Sequence, residues 1–554
     1  MQFYKEYLNN SLVYGKLIFE NEKYYVNNIE VNNNRGIIDD DVYILDGNIV
    51  GIKERTIKNI VGILYLDSKI KFGNLKNKPL YLFKPTNRSY PNFYIPYSNN
   101  KTNKIYVIIQ FKQWDIYNKL PIGTLIEVLG DVGNKEVEFE HLRFYYNVKN
   151  NTWKIDSKKE DDIKILNGIE KEDYTVFSID PIGSKDIDDA FHFKILEDKF
   201  IEIGIHIASP VIFFEKDLNK IFDRVSTIYS PIKNYNLLPD SYSTNIVSLL
   251  EGEKRFALSL ICKINDLNLI DYTIKETVVK NIRNYSYEEF DSLKSKKFVN
   301  FIEFTKKFFK LDNIDSHKLV EVWMIYTNKM IAQDLINKNI SNIILRVHNS
   351  KVNNSKINTD HQLINYLNIR SENSATYQLY DNLKDQRHSK LGDLYTHFTS
   401  PIRRCIDFYI HMLILGKHID YTHEELYKIV EKINLFTKNA KKFDRNVKRL
   451  EFLYNIKNLG DNIITYGYIV KISNYYIKLF IPEYNLEEKV ILINNKFKNI
   501  AEIEVIKNET DNIEIRYNID NINKKYCLFE KVNIKLWVFT SCDNIFDKLK
   551  IEIF

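Results

Sequence analysis

Cysteine is scarce in this chain. Only four occur in 554 residues (Cys262, Cys405, Cys527, Cys542), and none stands in a CxxC pair. That argues against a disulfide framework and a zinc finger, and it fits a reducing, intracellular compartment, the cytoplasm first and the nucleus second. Glycine is also rare, at 17 residues, so each one that remains carries more information than usual. Long apolar runs are missing: none approaches the roughly 18–20 residues that span a bilayer. The opening stretch, MQFYKEYLNNSLVYGK, is polar where a signal peptide needs an apolar core. A soluble protein without a membrane partner is expected. No repeat of about 20–50 residues is present. A strong charge of one sign is absent too. The net +6 permits a polyanionic partner without demanding one, because a local groove can be far more basic than the mean.

What is present allows ordinary buried cores: 44% of residues are apolar and 27% charged. The length suggests about three or four domains at roughly 100–200 residues each. Asn, Lys, Ile and Tyr are abundant everywhere, which codon bias in an AT-rich genome explains. Clusters such as NNNR and YSNNKTNK then read as surface loops. Residues 1 to about 150 show short alternating segments, KIYVIIQF (104–111) and GTLIEVLG (123–130) among them, with no long helical period. Two small β-barrels fit, with a break near 56–60. From 151 to about 300, strands (YTVFSI, FIEIGIHIA) mix with turns and short helices. From about 300 to 460 the period becomes helical, as in HKLVEVWMIYTNKMIAQDLINKN (317–339). The last hundred residues revert to strands: ITYGYIVKI, YYIKLFI, EEKVILI and VNIKLWVF. Small barrels around an α/β centre suggest nucleic-acid handling.

The segment YTVFSIDPIGSKDIDDAFHF (174–193) is the most informative. A strand ends in Asp180, Pro181 and Gly183 force a turn, and Asp186, Asp188 and Asp189 follow in the spacing D-x5-D-x-D-D. Four carboxylates on one tight loop repel one another unless a cation lies among them or some are protonated. Hard oxygen donors suit Mg²⁺ or Mn²⁺. Such a site can activate water and stabilise a leaving oxygen in phosphodiester hydrolysis. The competing reading is a solvated acidic loop with helix-capping aspartates. The apolar flanks on both sides set the loop against a core, and an EF-hand loop lacks its final Glu here.

A second segment, LYTHFTSPIRRCIDFYIHMLILG (394–416), offers Ser400 as an N-cap with Pro401 at the first helical position. Arg403, Asp407 and His411 then share one face at four-residue spacing. Two arginines in a first turn, where free N–H groups favour anions, make sense beside a phosphate or carboxylates. The alternative is an ordinary Arg403–Asp407 helix ion pair with His411 in the core.

Together, SIDPIGSKDIDDA and YTHFTSPIRRCID resemble the two signature stretches of the RNase II (RNB) catalytic domain, in order and in separation. Between them IGIHIA (203–208), STIYSP (226–231), LLP (237–239), RFALS (255–259), YSYEE (285–289), LVEVWM with Asn328, and ILRVH (344–348) are similar too, as are Ala375, Tyr377, His388 and Leu391. The similarity spans roughly 173–420. NRGIIDDDVYIL (34–45) and LPIGTLIEVLGDVG (120–133) are similar to the closing segments of two cold-shock-type barrels in exosome-type members. The last hundred residues look like a closing OB-type RNA-binding domain. The resemblance implies a multidomain α+β protein, three small OB-like β-barrels flanking a mixed α/β RNB domain. The implied bounds are 1–57, 58–152, 153–455 and 456–554. The chain starts too close to its first barrel to hold the extra N-terminal endonuclease domain of exosome-type enzymes.

By the same resemblance, Asp180, Asp186, Asp188 and Asp189 match metal-binding aspartates for Mg²⁺ or Mn²⁺, one or two ions. Asp188 is the one tied most closely to catalysis, with Asp189 beside it. Arg403 matches the arginine at the scissile phosphate. Tyr229 matches an aromatic that stacks on the 3′-terminal bases, Tyr287 one linked to RNA-over-DNA preference, and Arg404 joins the RNA contacts. The implied reaction is hydrolytic, processive, 3′ to 5′, on single-stranded RNA, releasing nucleoside 5′-monophosphates. Subunits of an RNA-decay complex are implied partners of a monomeric catalytic unit. The alternative on the same fold is a catalytically weak or inactive RNA-binding scaffold. It draws on departures from the family pattern at Ser209, Val322, Cys405, Met412 and Asp39, none of which removes a metal ligand or Arg403.

Overall fold

The computed structural model describes all residues except 1–11, 21–22, 34, 56–57, 69, 71, 99–102, 116–117, 150–172, 350–359, 372–373, 460–461, 474–475, 492–499, 508–512, 520–521 and 540–541. The domain bounds expected at 57 and 152 therefore fall outside the described residues. The fold divides into two compact units: Met1–Val148 with Thr359–Leu363 and Lys442–Phe554, and Lys149–Asn358 with Ile364–Lys441.

The chain opens with β1 (Val13–Glu20), β2 (Lys23–Val26), β3 (Ile29–Val31), β4 (Asp41–Leu45) and β5 (Asn48–Glu54), ordered β3-β2-β1-β4-β5. Asn32 bridges in parallel to Asn48, which brings the two edges of the sheet together. Inside lie Leu17, Val26, Val31, Val42, Ile44 and Ile49, so Val42 and Ile44 show the two-residue alternation of a half-buried strand. Asp39, the departure from a family glycine, has φ +71°. That left-handed conformation is open to Gly and tolerated by Asp. The next barrel holds β6 (Asn59–Tyr65), β7 (Asn74–Leu75), β8 (Lys78–Pro85), β9 (Phe93–Pro96), β10 (Ile105–Gln113) and β11 (Ile122–Asp131). It closes on itself because β6 pairs with both β10 and β8. A helix, α1 (Lys135–Tyr145), follows it, where the sequence reading expected none. Asn134 caps it through the N–H groups of Glu136 and Val137.

The second unit is built on a closed five-stranded barrel: β12 (Asp173–Asp180), β13 (Asp189–Ile195), β14 (Ile201–Ala208), β15 (Lys254–Asn265) and β16 (Asn268–Ser286). One set of alternating residues, including Phe191, Phe193, Ile203, Ile205, Leu258 and Leu260, enters the large apolar core. The other set is polar: His192, His206, Ser259 and Thr277 form a buried hydrogen-bonded string with links of 2.6–2.7 Å. Gly204 in IGIHIA lies between the two histidines. A Cβ there would come within 2.3 Å of the His192 ring and 2.6 Å of His206. The helical half supplies α2 (Lys296–Phe308) and α3 (Ser316–Asn337). Fully buried Trp323 of α3 packs on Phe301 and Phe308 and donates its indole N–H to Thr305 at 3.1 Å. A ring buried with its polar handle satisfied makes an anchor whose truncation costs about 3–5 kcal/mol. A two-stranded ribbon interrupts the helices, β17 (Ile344–Val347) against β18 (Thr376–Leu379). Then come α4 (Cys405–Ile414) and the long α5 (His423–Leu459).

The C-terminal strands are β19 (Ile463–Ile472), β20 (Tyr476–Ile481), β21 (Leu486–Ile491), β22 (Ile500–Lys507), β23 (Ile513–Ile519), β24 (Ile522–Cys527), β25 (Lys531–Val538) and β26 (Leu549–Ile553). Five form one sheet, β21-β20-β19-β25-β26, and β22–β24 form a separate three-stranded sheet between β21 and β25 in sequence. Among the described residues no helix is long and apolar enough to cross a membrane.

Candidate active site

The carboxylate loop leaves β12 at Asp180 and enters β13 at Asp189. Ser184 N–H bonds to Pro181 C=O at 3.1 Å, and Gly183, two residues after Pro181, has φ +81°. This is the turn that places φ > 0 on Gly. Buried Ser248 fixes the far limb: its hydroxyl accepts from Ile187 N–H and donates to Lys185 C=O, each at 2.8 Å. Leu249 N–H adds a bond to Ile187 C=O at 3.1 Å. Arg255 in turn donates to Ser248 C=O at 3.1 Å. The loop is therefore held by residues 60 or more positions away in sequence. Ser248 was not singled out from the sequence; its only signal was a small polar residue inside an apolar stretch.

Asp188 is 4% exposed. Its Oδ1 accepts from Ile402 N–H and its Oδ2 from Arg403 Nε, both at 3.0 Å. Burial pushes its carboxyl up to about 7 against the pull of Arg403. Asp180 is raised to about 6 by burial and by the charge of Asp186, with a Ser178 hydrogen bond acting the other way. Asp189 is pushed well up by burial and by Asp180 and Asp188. Asp180 Oδ2 and Asp189 Oδ2 are buried with no hydrogen-bond donor. Asp186 accepts a short hydrogen bond from the hydroxyl of Tyr229, whose ring is 46% exposed. The four aspartates thus share one electrostatic neighbourhood. Among the described residues no three His, Cys, Asp or Glu side chains already converge as a metal cage.

The arginine segment differs from the sequence expectation. Residues 401–403 form a turn, and α4 starts at Cys405 with Arg404 as its cap. Arg403 therefore does not share a helix face with Asp407 and His411. The competing Arg403–Asp407 pair is absent as well: Asp407 accepts from Arg404 and from Ser400 N–H, both at 2.7 Å. The reason is tertiary. Asp188 claims the Ile402 N–H and the Arg403 guanidinium, which pulls this stretch out of the helix. Arg403 also donates to Ser400 Oγ at 2.8 Å and stays 40% exposed. His411 is fully buried and hydrogen-bonded to Phe398 C=O, a core histidine.

Val225 clamps the same segment from below. It sits at φ +67°, ψ −60°, and Ser226 N–H bonds to Arg224 C=O at 2.8 Å, a strained γ-turn at a buried β-branched residue. Its own C=O accepts from Cys405 N–H, and Thr227 N–H donates to Arg403 C=O, both at 2.9 Å. One short ribbon thereby carries Tyr229 on one side and Arg403 on the other. Tyr287 starts a helical turn fixed by the Ser286–Glu289 capping box. Its ring lies 3.6 Å from the His317 ring, nearly parallel, and its hydroxyl is pushed up to about 12 by burial and by Asp189 and Asp180. Ser209, another departure, bonds through its backbone to Phe256 C=O while its buried hydroxyl has no partner.

Known proteins align with this architecture. The RNB domain model matches residues 170–303 and 299–417, and the Dis3-like cold-shock domain 2 model matches 80–158. A relative from Caenorhabditis elegans, described as a probable exosome complex exonuclease RRP44, is 24% identical over 80% of this chain and 56% of its own length. This chain spans between half and two thirds of the length of the curated relatives it matches. Among solved structures, Mycoplasma genitalium RNase R in complex with ribose-methylated single-stranded RNA aligns with a TM-score of 0.74 at 17% identity, covering 98% of this chain and all of that one. Yeast Ssd1, described as a pseudonuclease, aligns at 0.70 and 15% identity, covering 100% and 98%. The closed barrel, the carboxylate loop and the arginine turn all lie within residues 170–417, the part of the chain that the RNB domain model matches.

Proposed function

We propose that this chain is a hydrolytic exoribonuclease that shortens single-stranded RNA from its 3′ end and releases nucleoside 5′-monophosphates processively. The observation that carries this reading is the placement of Asp188. It is held by Ile402 N–H and Arg403 beside two buried carboxylate oxygens that lack donors. Buried unmatched carboxylates are costly, and hard oxygens held in this way fit Mg²⁺ or Mn²⁺. Asp180, Asp186 and Asp189 would hold the cation, beside Asp188 and its partner Arg403. When bound, a divalent cation supplies charge stabilisation at the phosphate and activation of water. Arg403, fixed by Asp188 and Ser400 yet 40% exposed, meets the scissile phosphate and stabilises the charge that develops on it. Tyr229 offers an exposed ring to the 3′-terminal bases, and stacking of this kind contributes about 1–3 kcal/mol per base without regard to sequence. Tyr287 and Arg404 line the same RNA path. Subunits of an RNA-decay complex are the proposed partners.

The likeness to Ssd1 supports a second reading, an RNA-binding scaffold without turnover. A time course on a 5′-labelled single-stranded RNA, in Mg²⁺ and in EDTA, separates the two. Stepwise shortening with 5′-monophosphate release in Mg²⁺ alone, and little cutting of the matching DNA, is the expected result. Clear RNA binding with no product at any Mg²⁺ or Mn²⁺ concentration would establish the scaffold.

A further inference from the structure

Tyr229 enters the site through two separate parts. Its ring is 46% exposed, while its hydroxyl donates to Oδ2 of Asp186. Stacking uses the ring alone, and a phenylalanine would provide it. The hydroxyl therefore has a task of its own. The backbone around Tyr229 is held so that both parts keep their places. Ile228 and Tyr235 exchange two backbone hydrogen bonds, both 2.9 Å. Leu237 N–H donates to Thr227 Oγ1 at 2.9 Å, and Ser230 N–H donates to Asn234 Oδ1 at 3.2 Å. Thr227 N–H bonds to Arg403 C=O, so this narrow loop is also tied to the arginine turn.

Asp186 has the matching need. Its backbone is fixed on both sides, because Ser248 holds the Lys185 C=O and the Ile187 N–H. Those bonds leave its side-chain torsions unset. Among the described residues the Asp186 side chain makes one hydrogen bond, the one from Tyr229. Asp188, by comparison, has donors on both oxygens. Like charges on one loop repel, so a carboxylate free to turn swings away from its neighbours. A hydrogen bond to an ionised oxygen is among the stronger ones and opposes that swing. Held through Oδ2, Asp186 keeps Oδ1 for a cation. Donors to ligating carboxylates orient them, and their loss costs about 10–100-fold in metal affinity.

We propose that the Tyr229 hydroxyl is a positioning group for Asp186: it holds that carboxylate at the cation site while the face of the ring stays open to a base. The proposal rests on the metal-dependent reading above and deepens it. One side chain then ties the seat of the terminal base to the cation site, and its two parts are separable by substitution.

The test reads metal binding without RNA, so the result does not depend on turnover. The whole chain is titrated with Mn²⁺, and free Mn²⁺ is measured by its electron paramagnetic resonance signal. Tyr229→Phe keeps the ring and is expected to weaken Mn²⁺ binding about tenfold. Its affinity for a fluorescein-labelled 12-nucleotide RNA in EDTA should stay within about twofold of the parent, because stacking is kept. Tyr229→Leu should lose affinity for both. Asp186→Asn should weaken Mn²⁺ binding too, and adding Tyr229→Phe to it should change nothing further, since the hydroxyl acts through that carboxylate. Melting curves in EDTA check the fold of each variant. Parental Mn²⁺ affinity in Tyr229→Phe overturns the proposal and leaves the cation reading standing. A further loss on top of Asp186→Asn also overturns it, because the hydroxyl would then act elsewhere. If Tyr229→Phe keeps Mn²⁺ and loses RNA, the hydroxyl belongs to the strand and the assignment fails. A parent chain that binds no Mn²⁺ removes the cation reading itself, and the proposal with it.

Discussion

Asp188 and Asp189 are neighbours in sequence and opposites in environment. Both oxygens of Asp188 have donors, from Ile402 and Arg403. Asp189 and, across the loop, Asp180 each bury an oxygen that has none. The first half of the site is completed by the protein's own groups and is organised before any ligand arrives. On the proposed reading the second half is left for a cation to complete. Residues that a motif groups together would then do separate work: Asp188 with Arg403 orients, while Asp180 and Asp189, with Asp186, bind.

Arg403→Ala should produce the largest break in that comparison. On the proposed reading it removes the donor that stabilises developing charge, and it leaves Asp188 half-paired, so kcat should fall about 10²–10³-fold. The Kd for RNA should change far less. A loss confined to affinity would place Arg403 in binding alone.

The carboxylate half is tested by pH and metal. Asp180 and Asp188 hold protons to about 6 and 7, above the ordinary 3.8. A raised carboxyl pKa gives stability at low pH that is lost as pH rises through the folded value. The metal-free protein should therefore lose this contribution between about pH 4 and 7, and Mg²⁺ should raise the melting temperature more at pH 8 than at pH 5.5. Asp180→Asn should melt higher than the parent without metal at pH 8 and should gain less from Mg²⁺. Equal Mg²⁺ shifts in both proteins would separate Asp180 from the cation.

Ser248→Ala should have the smallest effect. It strands the Ile187 N–H and costs about 1–3 kcal/mol of stability. It should also slow turnover several-fold by loosening the loop, with RNA affinity retained. An unchanged rate in a destabilised protein would make Ser248 a fold residue only.

Much of this site was legible because its chemistry is contiguous. Asp180 to Asp189 lie within ten residues, and the turn at Pro181 and Gly183 followed from local rules. Those rules failed where a distant group intervened. Ser400–Pro401 reads as a helix start, yet Asp188, more than 200 residues upstream, draws Ile402 and Arg403 out of the helix and delays it to Cys405. The helix α1 was missed for a different reason. KEVEFEHLRFY is rich in charge and its apolar period is weak, although Asn134 with Glu136 after it carried a capping signal. Of the five barrel strands, β12 and β14 were readable, from the alternation in YTVFSI and FIEIGIHIA.

The central claim is that Asp188 serves the reaction and leaves the grip on RNA to others. One paired measurement addresses it: RNA affinity and 5′-monophosphate release for Asp188→Asn beside the parent, both in Mg²⁺. The account predicts a Kd within a few-fold of the parent and turnover reduced by at least about 10³-fold. Release of mononucleotides at near-parental rates, or loss of RNA binding in step with turnover, would contradict it.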